Sequence, residues 1–172
     1  TRAPTFIEHP DVIGLYENYL LVHGNEKGII WVDLQKAQER VLIQSLTAHQ
    51  LECRSQVLLL PIPVNLSKQD QLALKEKEKL VQNLGFSIEM SGKDQFLISA
   101  VPSCLDASDA SQGLLLVLTQ DDPIPTMAAF AVRGKKRFML QEALALWHQV
   151  KESPDRSVLT TTGPHEIKNF FR

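Results

Sequence analysis

The sequence predicts an α+β fold, and three neighbouring patterns carry that prediction. The apolar run Gln56–Val64 is short and interrupted by prolines, so it is typical of a strand at a sheet edge or bend. A capped amphipathic segment follows, and two alternating segments joined by a turn come after it. Strand, helix and hairpin therefore form one small unit over Gln56–Pro102.

The helix of this unit has both a start signal and a stop signal. Ser67 and Asp70 stand three residues apart, which lets a hydroxyl and a carboxylate bond to backbone N–H groups in a capping box. Gly85 lies where a left-handed residue commonly ends a helix. These signals predict a helix over Lys68–Leu84.

The hairpin is predicted by alternation. Phe86, Ile88 and Met90 alternate with polar residues up to a turn at Ser91–Asp94. The segment Gln95–Val101 then returns as the partner strand.

The residues before this unit predict a hairpin and a helix. Asp11–Tyr19 and Leu20–Val32 are rich in strand-forming residues around a turn at Gly24–Gly28. Apolar residues then recur at helical spacing over Lys36–His49, and Asp33 marks the start of that helix. We therefore expect two strands followed by one helix.

After the second hairpin the composition favours helices. We expect helices near Ser108–Leu118, over Pro125–Val132 and over Leu140–Lys151, the last with an apolar stripe. We expect a loop over Thr160–Pro164 and a short amphipathic turn over Glu166–Arg172.

Composition narrows the function. The chain has 172 residues and a net charge of −2, which argues against a broadly basic surface for nucleic acid and leaves only local patches. Cys53 and Cys104 are isolated and follow no secretory signal, which favours a reducing compartment and buried free thiols. No apolar stretch reaches the roughly 18 residues that span a bilayer. The chain starts at Thr1 without methionine, so we expect a fragment of a longer protein.

Together these segments resemble the C-terminal domain of the MutL family of DNA mismatch repair proteins. The resemblance rests on the first hairpin, Asp33 with Glu39-Arg40, Gln56–Pro61, a helix ending in Leu84-Gly85-Phe86 and a strand ending in Ala100-Val101-Pro102. It implies a homodimerisation subdomain of residues 1–55 and 103–172, with a regulatory subdomain inserted at 56–102. It further implies a bacterial cytoplasmic protein, associated with the nucleoid, whose ATPase lies in a separate N-terminal region.

Most of the residues with which many members of that family nick DNA are missing. The resemblance aligns Asp33, Glu39 and Arg40 with the first metal motif, but its other positions hold Leu34, Gln35, Lys36 and Gln44. Met127–Arg133 has alanines in place of the second motif's cysteine and polar neighbour, and Gly163-Pro164-His165 lacks the cysteine of the third. A hydrolytic metal needs about three protein ligands and an open water position. We therefore expect the non-endonuclease type, with no catalytic residue, metal or cofactor here.

The residues that do match the metal motifs also have structural interpretations that need no metal. Acids such as Asp33 and Glu39 are stabilised near a helix start, and His165 suits a solvated tail. The sequence contains neither a nucleophile elbow nor a phosphate-binding glycine loop. Two alternatives stay open: a divergent metal-dependent nicking domain that uses Asp33 and Glu39, and an unrelated α+β interaction module.

A candidate docking motif lies at the start of the central unit. Gln56, Leu58, Leu59 and Pro61 match the pattern Gln-x-apolar-Leu-x-Pro of peptides that bind the bacterial replication sliding clamp. In such a peptide the amide fixes orientation, the apolar side chains enter a pocket and proline reduces the entropy lost on binding. The same residues also suit a structural strand, and an exposed edge strand satisfies both interpretations.

Two further surfaces are candidates for binding. Arg133, Lys135, Lys136 and Arg137 lie in one loop, where they suit either DNA phosphates or a solvated turn. The C-terminal helices are the expected dimer surface, because Leu114–Leu118, Phe130, Phe138 and Trp147 supply more apolar surface than one thin layer needs. These residues also suit packing on the first hairpin. The expected partners are therefore a second copy of the chain, the sliding clamp and other mismatch repair proteins.

Overall fold

A computed structural model describes residues 11–24, 28–48, 55–135, 137–152 and 158–162 of the chain. The strands are β1 (Val12–Tyr16), β2 (Tyr19–Gly24), β3 (Gly28–Asp33), β4 (Ser55–Asn65), β5 (Ser87–Met90), β6 (Gln95–Pro102) and β7 (Leu159–Thr162). The helices are α1 (Leu34–Thr47), α2 (Lys68–Glu76), α3 (Glu78–Asn83), α4 (Ala110–Thr119), α5 (Pro123–Val132) and α6 (Leu140–Val150). These elements confirm the α+β class. Within the described ranges, none of the helices has the length and apolar character needed to cross a membrane.

The chain divides into two compact units. One contains residues 1–41 and 132–172, and the other contains residues 42–131. The segment 56–102, predicted as an inserted regulatory subdomain, falls within the second unit and contributes its sheet together with α2 and α3.

The first unit is built on an antiparallel sheet with the strand order β1-β2-β3-β7. The predicted hairpin was wrong in strand number, because β1 and β2 are separate strands joined at the turn Glu17-Asn18. Glu17 has a positive φ of 50°, which is uncommon for a glutamate, so the sequence pattern did not predict a turn at this residue. The predicted loop at Thr160–Thr162 was also wrong, since these β-branched residues pair with β3.

The core of the first unit lies between one face of this sheet and helices α1 and α6. The strands contribute Val12, Leu20, Val22 and Val32, and the helices contribute Leu34, Ala37, Ala143, Trp147 and Val150. Phe138, just before α6, joins the same cluster. Phe138 and Trp147 are therefore buried inside the chain, which corrects their assignment to a dimer surface.

The second unit is built on the antiparallel sheet β4-β6-β5. The Ser67–Asp70 capping box is present, and Gly85 has the left-handed φ of 96° expected after the helix. The predicted helix is divided into α2 and α3 at Lys77, although backbone bonds still run from Lys77 N–H to the Ala73 carbonyl and from Val81 N–H to the Lys77 carbonyl. The helix is therefore nearly continuous through the break.

Lys77 connects this helix pair to the end of α4. Its Nζ donates hydrogen bonds to the carbonyls of Val117, Leu118 and Gln120 at 3.1, 3.1 and 2.6 Å. A helix leaves its last carbonyls without intrahelical donors and carries partial negative charge at that end. An ammonium group is therefore a suitable cap for α4.

The core of the second unit also contains part of the expected dimer surface. Leu114, Val117 and Leu118 of α4 are buried there with Phe86, Ile98 and Met127. Leu115 and Phe130 are only partly buried and pack against this cluster. Most of the apolar surplus noted in the sequence is thus used within one chain.

Candidate docking surfaces

The candidate clamp motif lies on β4, an outer strand of the sheet in the second unit. Ser55–Val57 pair with Ala100–Pro102, and Ile62–Asn65 pair with Gln95–Ile98. Between these paired stretches, the four residues 58–61 stand opposite the single residue Ser99 of β6. This arrangement is a large β-bulge, which bends its strand away from regular pairing. We call residues 58–61 the arch.

Leucines of the arch differ sharply in exposure. Leu59 is as accessible as in an open peptide, at 101%, and Leu60 is 81% exposed. Leu58 instead is partly buried and packs against the core of the second unit. The flanking Val57 is 79% exposed, and Gln56 and Pro61 are exposed as well. The sequence pattern did not identify Val57 and Leu60 as exposed residues.

The arch and the residues around it depend on how β6, the middle strand of the sheet, pairs with its two neighbours. β6 has one residue more than β5 between the pairs Ser87–Ala100 and Ile88–Ile98, and that residue is again Ser99. The Ser99 hydroxyl donates to the Ser87 carbonyl at 3.3 Å. At the start of β4, the Ser55 hydroxyl donates to the Gly85 carbonyl at 2.7 Å. Side chains therefore add to the backbone ladder in holding the sheet around the arch.

A second candidate surface is the sheet face opposite the core of the first unit. Alternation places Tyr16, Tyr19, Leu21, Ile29 and Trp31 on this outer face, since Tyr16 pairs with Tyr19 and Leu21 with Trp31. Tyr16 is 60% exposed, and none of the five is buried. The rings of Tyr19 and Trp31 meet edge to face, with centroids 6.1 Å apart. This face is rich in aromatic rings, and the same alternation also places His23 and Asp33 on it.

The basic loop, which contains Arg133, Lys135, Lys136 and Arg137, also involves an acidic side chain. Lys135 Nζ lies 2.8 Å from Glu142 Oε1 and 4.8 Å from the centre of the Phe138 ring. Arg133 and Arg137 are exposed, while Lys136 lies outside the described residues. Lys135 is therefore already paired with an acid of the same chain.

Glu142 also supports the start of α6. Its Oε2 accepts a hydrogen bond from the Met139 backbone N–H at 2.8 Å, so the carboxylate satisfies one of the helix's first donors. The hydrogen bond from Lys135 and that from Met139 lower the pKa of Glu142 below its ordinary value of 4.5. The charged carboxylate therefore stabilises the folded state.

The residues aligned with the family's metal motifs form local contacts. Asp33 Oδ1 accepts from the Lys36 backbone N–H at 3.1 Å, which confirms Asp33 as the start signal of α1. Lys36 Nζ lies 4.0 Å from the other carboxylate oxygen. Gln35 Nε2 donates to the Val132 carbonyl at 3.2 Å. His165 lies outside the described residues, and the part of the chain that is described contains no group of three His, Cys, Asp or Glu able to hold a metal.

Comparison with known proteins identifies the family. The family model for the MutL C-terminal dimerisation domain matches residues 13–128, which include all but the first residue of β1, the strands β2–β6, the helices α1–α4 and most of α5. The chain belongs to this family.

Curated MutL relatives extend the match to the rest of the chain. The chain is similar to the DNA mismatch repair protein MutL of Syntrophotalea carbinolica, with 26% identity over 189 aligned positions that cover 100% of the chain and 30% of that protein. The MutL protein of Kosmotoga olearia is 33% identical over 112 positions, covering 64% of the chain and 18% of that protein. The MutL protein of Coxiella burnetii is 31% identical over 102 positions, covering 57% of the chain and 18% of that protein. The chain therefore spans less than a third of the length of these MutL relatives.

Lowering the pH should reduce the folding stability of this MutL-family chain, in part because Glu142 becomes protonated. Its lowered pKa means that the stabilisation is complete above 4.5 and is lost as the pH falls through the pKa of the folded state. We expect Glu142→Gln to flatten the dependence of the melting temperature on pH between about pH 6 and about pH 3. The matched control is Glu89→Gln on the exposed part of β5. Identical pH profiles for Glu142→Gln and the unchanged chain would contradict this role.

Proposed function

We propose that this chain is the homodimerisation and partner-docking region of a MutL-type DNA mismatch repair protein. The observation that carries the proposal is the aromatic outer face of the sheet in the first unit, in a chain that belongs to a dimerisation-domain family. In this role the region holds two ATPase arms together, so that they can close around DNA. It acts by assembly and recruitment and is not itself a catalyst.

The outer face is better suited to dimerisation than the C-terminal helices. Leu114, Phe138 and Trp147 are buried in the chain's own cores, whereas Tyr16 and Tyr19 are exposed. Aromatic side chains are enriched in protein interfaces, and a two-fold interface presents the same patch from both subunits. Two copies stacked through this face would cover the exposed Tyr16 and Tyr19 and would bury Leu21 and Trp31 further.

A charge placed at the centre of this face should separate the dimer. We expect Leu21→Glu to raise the dissociation constant at least about tenfold, because an interface would bury the new carboxylate without a partner. Tyr16→Glu tests the same face at a position exposed in the single chain. Light scattering over a concentration series gives the solution mass.

The matched control is Leu72→Glu on α2, where the leucine is 62% exposed in the second unit. It should leave the mass unchanged. A dimer that survives both outer-face substitutions would contradict this interface, and a chain that stays monomeric at high micromolar concentration would contradict dimerisation itself.

Docking to the sliding clamp is the second part of the proposal. The exposure of Gln56, Leu59 and Pro61 supports it, since a docking peptide must be reachable from solvent. Within this scheme residues 56–102 form the regulatory subdomain, while residues 1–55 and 103–172 form the dimerisation subdomain. The two roles then belong to different parts of the chain.

Removing the motif's amide and its exposed leucine should abolish clamp binding. We expect the double substitution Gln56→Ala with Leu59→Ala to reduce affinity at least about hundredfold in a calorimetric titration with purified sliding clamp. The control Gln69→Ala with Leu72→Ala removes the same residue types, three positions apart, from the exposed side of α2. Equal affinity of the two double variants would contradict clamp docking.

We also infer that this region does not nick DNA. Leu34, Gln35 and Lys36 replace the family's metal-motif residues, and the Lys36 ammonium, 4.0 Å from the Asp33 carboxylate, disfavours a cation beside that acid. The retained pair Asp33 and Glu39 supplies fewer donors than a hydrolytic metal requires.

Supercoiled plasmid should therefore stay intact when the chain is incubated with Mn²⁺ or Mg²⁺, as judged by agarose electrophoresis. A catalytically competent site would convert the plasmid to the open circular form. Nicking that disappears in the variant Asp33→Ala with Glu39→Ala would establish the divergent endonuclease instead.

The basic loop is proposed as a weak DNA contact. Arg133 and Arg137 are exposed, and Lys136 would add a third charge, but the pairing of Lys135 with Glu142 reduces the net positive charge. Such a contact would involve phosphates, be indifferent to sequence and weaken steeply with salt.

A further inference from the structure

The arch in β4 separates three neighbouring leucines into two groups. Leu58 is directed to the core of the second unit, where it packs against buried apolar residues. Leu59 and Leu60 are almost fully exposed, and they are adjacent in sequence. Regular strand alternation would place Leu58 and Leu60 on the same side, so the bulge changes which side chains a partner can reach.

We propose that Leu59 and Leu60 are the side chains that enter the partner's apolar pocket, and that Leu58 is a positioning residue which attaches the arch to the chain's own core. This inference rests on the proposed docking to the sliding clamp. It differs from the sequence pattern, in which Leu58 and Leu59 are the contacting pair and Leu60 is a variable position.

The backbone of the arch favours side-chain insertion over strand addition. A strand added to an edge needs a regular row of donors and acceptors. Pro61 and Pro63 lack the N–H group, and residues 58–61 already depart from regular pairing. A pocket that accepts two apolar side chains is therefore the partner surface that this edge fits.

The ladders on either side of the arch make docking compatible with an intact sheet. Ser55–Val57 and Ile62–Asn65 stay paired with β6 while Leu59 and Leu60 project from the strand. Because the arch is already formed in the free chain, binding needs little further ordering. Gln56 then contributes through its exposed side chain while its backbone remains in the ladder.

The test is a titration of the full chain with purified sliding clamp, combined with thermal unfolding of each variant. We expect Leu60→Ala to weaken binding at least about tenfold with an unchanged melting temperature, because that side chain is 81% exposed in the free chain. We expect Leu58→Ala to lower the melting temperature and to weaken binding less than about threefold. Leu72→Ala, at another exposed leucine, should change neither quantity.

Hydrogen exchange supplies a second measurement. In the complex, the backbone amides of Ser55–Val57 and Ile62–Asn65 that are protected in the free chain should remain protected. Increased exchange of these amides in both stretches on binding would mean that β4 leaves the sheet to dock, and would overturn the proposal.

The failure of this inference is distinguishable from the failure of clamp docking. If Gln56→Ala with Leu59→Ala abolishes binding while Leu60→Ala has no effect, or Leu58→Ala is as damaging as Leu59→Ala, docking stands and the assignment of Leu58 and Leu60 is overturned. If neither Leu59→Ala nor Leu60→Ala changes the affinity, both proposals fail.

Discussion

The second unit depends on the way β6 pairs with two strands of unequal length. β6 is the central strand, with Ile98 and Val101 fully buried, so its path is fixed by the core. Register departs from regularity on both of its sides at Ser99. On the β5 side, Ser99 has no partner residue in the ladder. On the β4 side, the same residue stands opposite four residues, 58–61. The extra residues of β4 leave the ladder opposite Ser99, and two of them, Leu59 and Leu60, are exposed at the edge of the sheet.

In the first unit, strand alternation alone decides which face of the sheet each apolar residue occupies. Alternation along β2 and β3 sends Leu20, Val22 and Val32 into the core and directs Leu21 and Trp31 to the other face. An antiparallel sheet with one solvated face usually carries polar residues there, and the aromatic residues on this outer face are the reason for the dimer interface proposed above. In that proposed dimer a second copy of the chain covers the face.

Local signals predicted the central unit well, and long-range contacts explain what they missed. Ser67, Asp70 and Gly85 act through bonds within a few residues, so the helix limits could be predicted from the sequence. The break at Lys77 coincides with bonds to carbonyls 40 or more residues away, which no local pattern reveals. The exposed segment Gln56–Pro61 was selected as a candidate docking motif from its residue types, but the inward position of Leu58 depends on a bulge in the pairing of β4 with β6. The burial of Phe138 and Trp147 likewise required knowledge of which sheet they face.

The contact of Lys77 with α4 has a consequence for the way the second unit opens. One ammonium group satisfies the carbonyls of Val117, Leu118 and Gln120, so the last turn of α4 cannot fray without losing a charge-assisted bond. The α2–α3 junction, in turn, cannot move away without losing all three of these bonds. Segments distant in sequence are therefore joined into one cooperative unfolding element, and their amide protons should exchange with solvent at a common free energy of opening.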